Sequence, residues 1–348
     1  MANVNKDRFL GAWWAAFTGD ALAMPCRGYT DTALIKDEYG DVREMLQPKS
    51  PHIESNISLI KIPDLSEKFD YIGEKLIFWK RPGTHYHETL HAGENTLPMF
   101  LALHLANDFC TNNGYNDEKW FVRYHAIMTS KNGYSDLYVP SMHRRYFENL
   151  NAGLDPKKNG VQEANISDLT AMFPLLLYYS FNCEKSTDAQ FKILKKFVKS
   201  EASLNSSVLI SKILAYLMQG FDLECVLYEK MKNEMHLALT FPYRRWIKNH
   251  SDESVAKQFL GVNGHVEYAL PLSIFLALKY RDNLQEALRV NAMLGGEPTG
   301  RGVVIGALLG AEFKTEKIPA IWAQKLVYFN EINAIGNALY ETCCKNIL

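Results

Sequence analysis

Gly11-Ala12-Trp13-Trp14-Ala15-Ala16-Phe17-Thr18-Gly19-Asp20-Ala21-Leu22 and Gly302-Val303-Val304-Ile305-Gly306-Ala307-Leu308-Leu309-Gly310-Ala311 lie near opposite ends of the chain and carry the same pattern. In each, a small residue recurs every fourth position: Gly11, Ala15 and Gly19 in the first, Gly302, Gly306 and Gly310 in the second. Side chains four apart share one helical face, so each stretch predicts a helix with a smooth stripe, over Asp7 to Leu22 and Arg301 to Phe313. A glycine inside a helix costs about 1 kcal/mol relative to alanine, and close approach of a second helix backbone is the compensation to expect.

Periodicity at three and four residues continues from Gly93 to the end, through Leu97 to Phe109, Trp120 to Met128, Leu169 to Phe181, Phe191 to Val198, Ser206 to Met218, Val266 to Tyr280 and Ile318 to Leu339. Connections are short and polar, as in Cys183-Glu184-Lys185-Ser186 and Asn249 to Glu253, and no Ser/Gly-rich linker divides the chain. The pattern predicts an all-α multi-helix bundle in one domain spanning 1–348. The exception is a long, partly irregular surface excursion near 26–91. Pro48, Pro51, Pro63 and Pro82 punctuate it, and the alternation at Ile57 to Ile62 suggests a small hairpin.

With 348 residues, 47% of them hydrophobic, the chain can bury a large core. Lys plus Arg number 38 against 39 Asp plus Glu, so no broad field draws in nucleic acid or anionic lipid, and neither partner is expected. No window is apolar and long enough to span a bilayer, and the stretch from Phe9 to Phe17 is too short and too bulky for a signal peptide. Six cysteines without a C-x-x-C pair or regular spacing argue against a disulfide framework or zinc cage and fit a reducing cytoplasm.

The chemistry concentrates at the two helix entrances. Gly295-Gly296-Glu297-Pro298-Thr299-Gly300 is a turn with Thr299 as the expected N-cap, and His91-Ala92-Gly93-Glu94-Asn95-Thr96 leads into the helix at Leu97 with Asn95 or Thr96 as cap. Two glycine turns with free N–H groups, positive dipole ends and a carboxylate each suit a phosphate-bearing sugar ligand.

Three segments together resemble the ADP-ribosylglycohydrolase family, which includes the lens J-crystallins. Residues 11–22 are similar to its G-x-x-x-x-x-x-x-G-D-A-L helix. Gly93-Glu94-Asn95-Thr96 stands where the family has T-D-D-T, and Gly295-Gly296-Glu297-Pro298-Thr299-Gly300 looks like G-G-D-T-D-T followed by a G-A-x-x-G-A helix. Ile318-Pro319 and Trp322 resemble its I-P-x-x-W ending. The resemblance implies an orthogonally packed helical domain that takes a small nucleotide sugar or an ADP-ribosylated substrate and hydrolyses a glycosidic bond with paired magnesium ions. Against the family pattern, the acids are lengthened or lost at both motifs, and Arg27 stands near the place of a glutamate. Any Mg2+ is therefore expected to be weakly bound or single, with Glu94, Asn95, Glu297 and Thr299 as its ligands.

The residues then support two readings. In the first, Glu94 and Glu297 are acid and base of an ADP-ribosyl or related N- or O-glycosidic hydrolase, with Asp20, Asn95, Gly295, Gly296, Thr299 and Arg301 binding substrate in a shared cleft. Arg301 would support a phosphate, as could His143, Arg144 and Arg145, with Tyr134, Tyr138, Tyr146 and Phe147 offering aromatic faces. In the second, the chain is a non-catalytic binder of ADP-ribose or a nucleotide, or a structural protein like the crystallins. His85, His87 and His91 lack a fourth ligand of recognisable zinc spacing.

Overall fold

Asn5 caps the first helix, its side-chain oxygen accepting from the Asp7 and Arg8 amides, and α1 runs Lys6–Ala23. The computed structural model describes residues 4–62, 68–181 and 183–345. The other principal helices are α2 (Leu97–Asn112), α3 (Asp117–Thr129), α4 (Ser141–Asn151), α5 (Ile166–Ala171), α6 (Phe173–Ser180), α7 (Cys183–Leu194), α8 (Glu201–Met218), α9 (Val266–Lys279), α10 (Leu284–Met293), α11 (Pro298–Phe313) and α12 (Phe329–Lys345). Among the described residues there is no strand, only the isolated bridges Val161–Val198 and Asn165–His265.

α1 and α11 form the axis of the molecule. They run antiparallel with their stripes in register: a Cβ added at Gly11 would fall on the Gly310 carbonyl oxygen, one at Gly306 on that of Ala15, and one at Gly19 on that of Gly302. Backbone therefore meets backbone, and no side chain larger than hydrogen fits at these glycines. Both helices are buried nearly all round, from Phe9 to Ala23 apart from Leu10 and from Pro298 to Ala311. α8, α9, α10 and α12 pack around them, and one continuous apolar core joins these helices to α2–α6.

Three expectations need correction. Ile57 to Ile62 is not a hairpin: Ile57–Leu59 is a single 3-10 turn, and short helices at Thr32–Tyr39 and Leu76–Trp79 flank irregular chain. Pro63 lies outside the described residues. Cys183 to Ser186 is the first turn of α7 rather than a connection, and Leu169 to Phe181 is broken at Met172, ahead of Pro174. The excursion also does more than cover the surface, because its His52, His85 and His87 are all buried.

Candidate active site

The antiparallel register brings the C-terminal end of α1 to the N-terminal ends of α11 and α2. Asp20, buried at that end, accepts from both donors of Thr96, its amide at 2.8 Å and its hydroxyl at 2.7 Å, and from the Asn95 side-chain amide at 2.9 Å. Asn95 also donates to the Phe17 carbonyl. Burial raises the Asp20 carboxyl, against these hydrogen bonds. Asp136 takes the next α2 amide, Leu97 N–H, at 2.8 Å, and its other oxygen lies 2.8 Å from His87 Nδ1. The entrance of α2 is thus capped by two carboxylates from elsewhere in the chain, and Thr96, its N-cap residue, makes no side-chain cap of its own.

The second entrance is closed in the same manner. Gly295 and Gly296 adopt φ of 65° and 70°, which only glycine tolerates readily, with backbone of Tyr29 and Val262 where a Cβ would stand. The Gly296 amide donates to the Tyr29 carbonyl at 2.6 Å and the Glu297 amide to that of Val262 at 2.8 Å. Neither is free for a phosphate. Arg301 is fully buried, and its guanidinium donates to Asn291 at 3.0 Å, to the Val262 carbonyl at 2.8 Å and to the Gly295 carbonyl at 2.5 Å. It braces the glycine turn from within instead of facing a ligand, which corrects the phosphate role expected of it. The N-cap of α11 is Glu297, not Thr299, which lies inside the first turn.

Glu297 is 2% exposed, and both of its oxygens are engaged. One accepts from the Thr299 hydroxyl at 2.7 Å and from the Gly300 amide at 3.4 Å, and the other pairs with the Arg27 guanidinium. Arg27 also donates to Thr299 Oγ1 at 3.3 Å and lies 4.9 Å from the Tyr138 ring centroid and 5.8 Å from that of Tyr86. The excursion holds this arginine in place. His52 Nε2 donates to the Arg27 carbonyl at 2.9 Å, and His85 Nε2 to the Pro25 carbonyl at 3.0 Å. Burial drives both imidazoles toward the neutral form, against the carbonyl hydrogen bonds, which favour the charged one.

Glu94 turns back on its own loop, accepting from the His91 amide at 2.6 Å. Beside it remains a void of about 10 Å3, lined by Glu94, Asn95, Leu97, Phe100, Ser135, Asp136 and Tyr328 among others, but not by Glu297 or Thr299. That is room for about one water molecule. The two motifs are therefore brought to one end of the α1/α11 pair, but packed side chains lie between them. Glu297 leads through Arg27 and Tyr138 to Asp136, which accepts from the Tyr138 amide at 3.2 Å.

His143 is also buried, bonded to the Tyr124 hydroxyl at 2.7 Å, and not available to a phosphate. Three site residues escaped the sequence reading: Asp136, His87 in its carboxylate pair, and Asp168. Only Asp168 had a local signal, the Asn165-x-x-Asp168 spacing of a capping box at the start of α5. It is fully buried, with one oxygen lacking a partner, and Arg27 is among the charges acting on it.

Magnesium needs about six oxygen ligands near 2.1 Å and net negative charge. Here the guanidinium of Arg27 supplies the cation, both Asp20 oxygens and both Glu297 oxygens accept protein hydrogen bonds, and Asn95 has replaced a carboxylate by an amide. The described residues contain no group of three His, Cys, Asp or Glu side chains suited to a metal. The donor set does not fit a magnesium pair.

Comparison with known proteins agrees with the architecture. The profile described as ADP-ribosylglycohydrolase matches residues 1–347. A solved structure titled "ADP-ribosylglycohydrolase-related protein complex" superposes with a TM-score of 0.66 at 20% identity, covering 97% of this chain and 98% of that one, a likeness of fold. The ADP-ribosylhydrolase ARH3 of Gallus gallus is 29% identical over 69 residues, 20% of this chain, so the match spans about a fifth (19%) of that relative's length. No described helix is long and apolar enough to cross a membrane. With an antiparallel glycine seam, two capped helix entrances in the order the motifs require and a profile match over nearly every residue, this chain belongs to the ADP-ribosylglycohydrolase family.

Proposed function

We propose that this chain is a non-catalytic member of its family, with a structural role of the crystallin kind and the ADP-ribose cleft closed from within. One observation carries the reading: Arg27, held by the excursion, lies against Glu297 and Thr299, where the motif would otherwise present oxygen atoms to a ligand or metal. Acid–base hydrolysis by Glu94 and Glu297 would need both carboxyls on one cavity large enough for a sugar. Glu297 is instead neutralised by an arginine, and the void beside Glu94 takes about one water.

The test is to incubate the protein with arginine- and serine-linked ADP-ribosylated peptides, with Mg2+ or with EDTA, and to titrate it calorimetrically with ADP-ribose. No release above blank and no binding heat are expected. Turnover lost on Glu94→Gln or Glu297→Gln would establish the hydrolase reading in its place, and binding without turnover would establish a ligand-binding role.

A further inference from the structure

A cavity of about 430 Å3 opens between the end of the excursion and the segment joining α3 to α4. Tyr134 and Ser135 line both this cavity and the small void beside Glu94. Its walls are mixed: Tyr71, Ile72 and Met128 are apolar, and Thr89, Ser130 and Ser135 bring hydroxyls. Lys75 is the group in it with chemistry of its own. Its Nζ stands 3.2 Å from the Tyr134 ring centroid and donates to the Tyr134 carbonyl at 3.1 Å.

What Lys75 lacks is an anion. Some lysines of the chain are paired with a carboxylate, Lys131 with Glu74 at 2.9 Å on the rim of the same cavity, Lys212 with Glu234 at 2.8 Å and Lys279 with Asp252 at 2.9 Å. Among the described residues, no carboxylate comes within ion-pair distance of Lys75. The Asp70 carboxylate, also on the cavity wall, is turned to the Ile72 and Gly73 amides at 2.9 and 2.8 Å.

We propose that this cavity is a carbonyl-binding site, in which the Lys75 amine forms a reversible imine with a small hydroxylated or phosphorylated aldehyde. The neutral amine adds through its lone pair to the carbonyl carbon. A proton passes from nitrogen to oxygen to give the carbinolamine, and loss of water gives the imine. Amine and aldehyde thus yield imine and one water, with no further reactant. The hydroxyl-bearing wall suits the polar part of such a molecule, its phosphate would compete with Glu74 for the Lys131 ammonium at the rim, and the Tyr71 ring suits its flat carbonyl end.

Electrostatics support the geometry. Burial pushes the Lys75 ammonium down to about 8, against Asp136 and Asp70, which act to keep it charged. At pH 7.4 roughly one amine in five would be neutral, against about one in a thousand for an ordinary lysine. Lysines of this kind, partly desolvated and unpaired, serve as amine nucleophiles.

Pyridoxal 5′-phosphate is the probe, used on the full chain and followed by imine absorbance, borohydride reduction and peptide mapping. Lys75 should be labelled at least tenfold faster than the average lysine. The rate should saturate with probe concentration and rise with pH to a plateau, with a midpoint near 8. Lys75→Met and Lys75→Arg should both lose the fast phase while keeping the helical circular dichroism, the arginine variant retaining a cation on Tyr134. Labelling spread evenly over the lysines of the unmodified protein, a rate linear in probe concentration, or a fast phase that survives in Lys75→Met would each overturn the site.

Discussion

Arg27 and Glu297 are 10% and 3% exposed in their side chains, and a charge at that depth is tolerable only because the other is present. Arg27→Met should therefore destabilise the protein by about 3–5 kcal/mol, because Glu297 would be left buried without a counter-ion. The double variant Arg27→Met, Glu297→Met should recover most of that loss. Urea denaturation of the four proteins gives the cycle, and additive losses would show that the two side chains act separately. Asp168 offers a second test, through pH. Burial, with Glu163 acting in the same direction, raises its carboxyl from 3.8 to about 8, against the Asn165 amide and Arg27. Between about pH 4 and 8 the folded chain then holds one proton more than the unfolded chain, and this group's contribution falls as pH rises through that window, with a limiting slope of about 1.4 kcal/mol per unit. Asp168→Asn lacks that slope. His143, pulled down to about 3 by burial, and His104, pulled down to about 4, act in the opposite sense below 6.5 but in both proteins alike. The variant's stability relative to the parent should therefore increase from pH 5 to pH 7.5, and a constant difference would contradict the buried proton.

Among the helices, the seam of α1 and α11 makes the sharpest prediction. Gly306→Ala would gain about 1 kcal/mol of helix propensity, yet its Cβ would fall on the Ala15 carbonyl. Since that oxygen belongs to a buried helix backbone, the pair must move apart, and a net loss of 1–3 kcal/mol is expected, read as a lower urea midpoint at unchanged slope. The seam was legible in the sequence because four-residue spacing of glycine has few other physical meanings. The long helices were legible too, since their periodic apolar faces report a single large core. The excursion was not: its structure rests on buried histidines bonded to carbonyls at Pro25 and Arg27, and no local pattern encodes a pairing of His85 with Pro25. The same limit applied to the site. Glu94, Asn95, Glu297 and Thr299 could be found from their glycine turns, and Arg27 from its misfit with the family pattern. That Arg27 would reach a residue 272 positions away could not. Nor could the capping of α2 by Asp20 and Asp136 be read from a cap position occupied by threonine.

At the scale of the molecule, the fold is that of the ADP-ribosylglycohydrolase family, and the proposed reading is that its motif end is closed as interior. Asp20, Asp136 and Glu297 there accept from a helix amide, a hydroxyl or an arginine, and the Gly296 and Glu297 amides of the glycine turn donate to backbone carbonyls. That end is packed with side chains, whereas the cavity around Lys75 holds an amine with no carboxylate within ion-pair distance among the described residues.

The axial seam also sets an order of events during synthesis. Arg8 of α1 donates to the Ala311 carbonyl of α11 across 303 residues, so α1 leaves the ribosome long before its partner does. At 5–20 residues per second, that leaves it waiting for roughly 15–60 s with an apolar surface on every side. Nascent chains stalled before α11 should be cut readily by protease within α1 and captured by chaperones that bind exposed apolar segments. Chains with α11 clear of the ribosome should resist both, because closing the seam hides the apolar surface of α1.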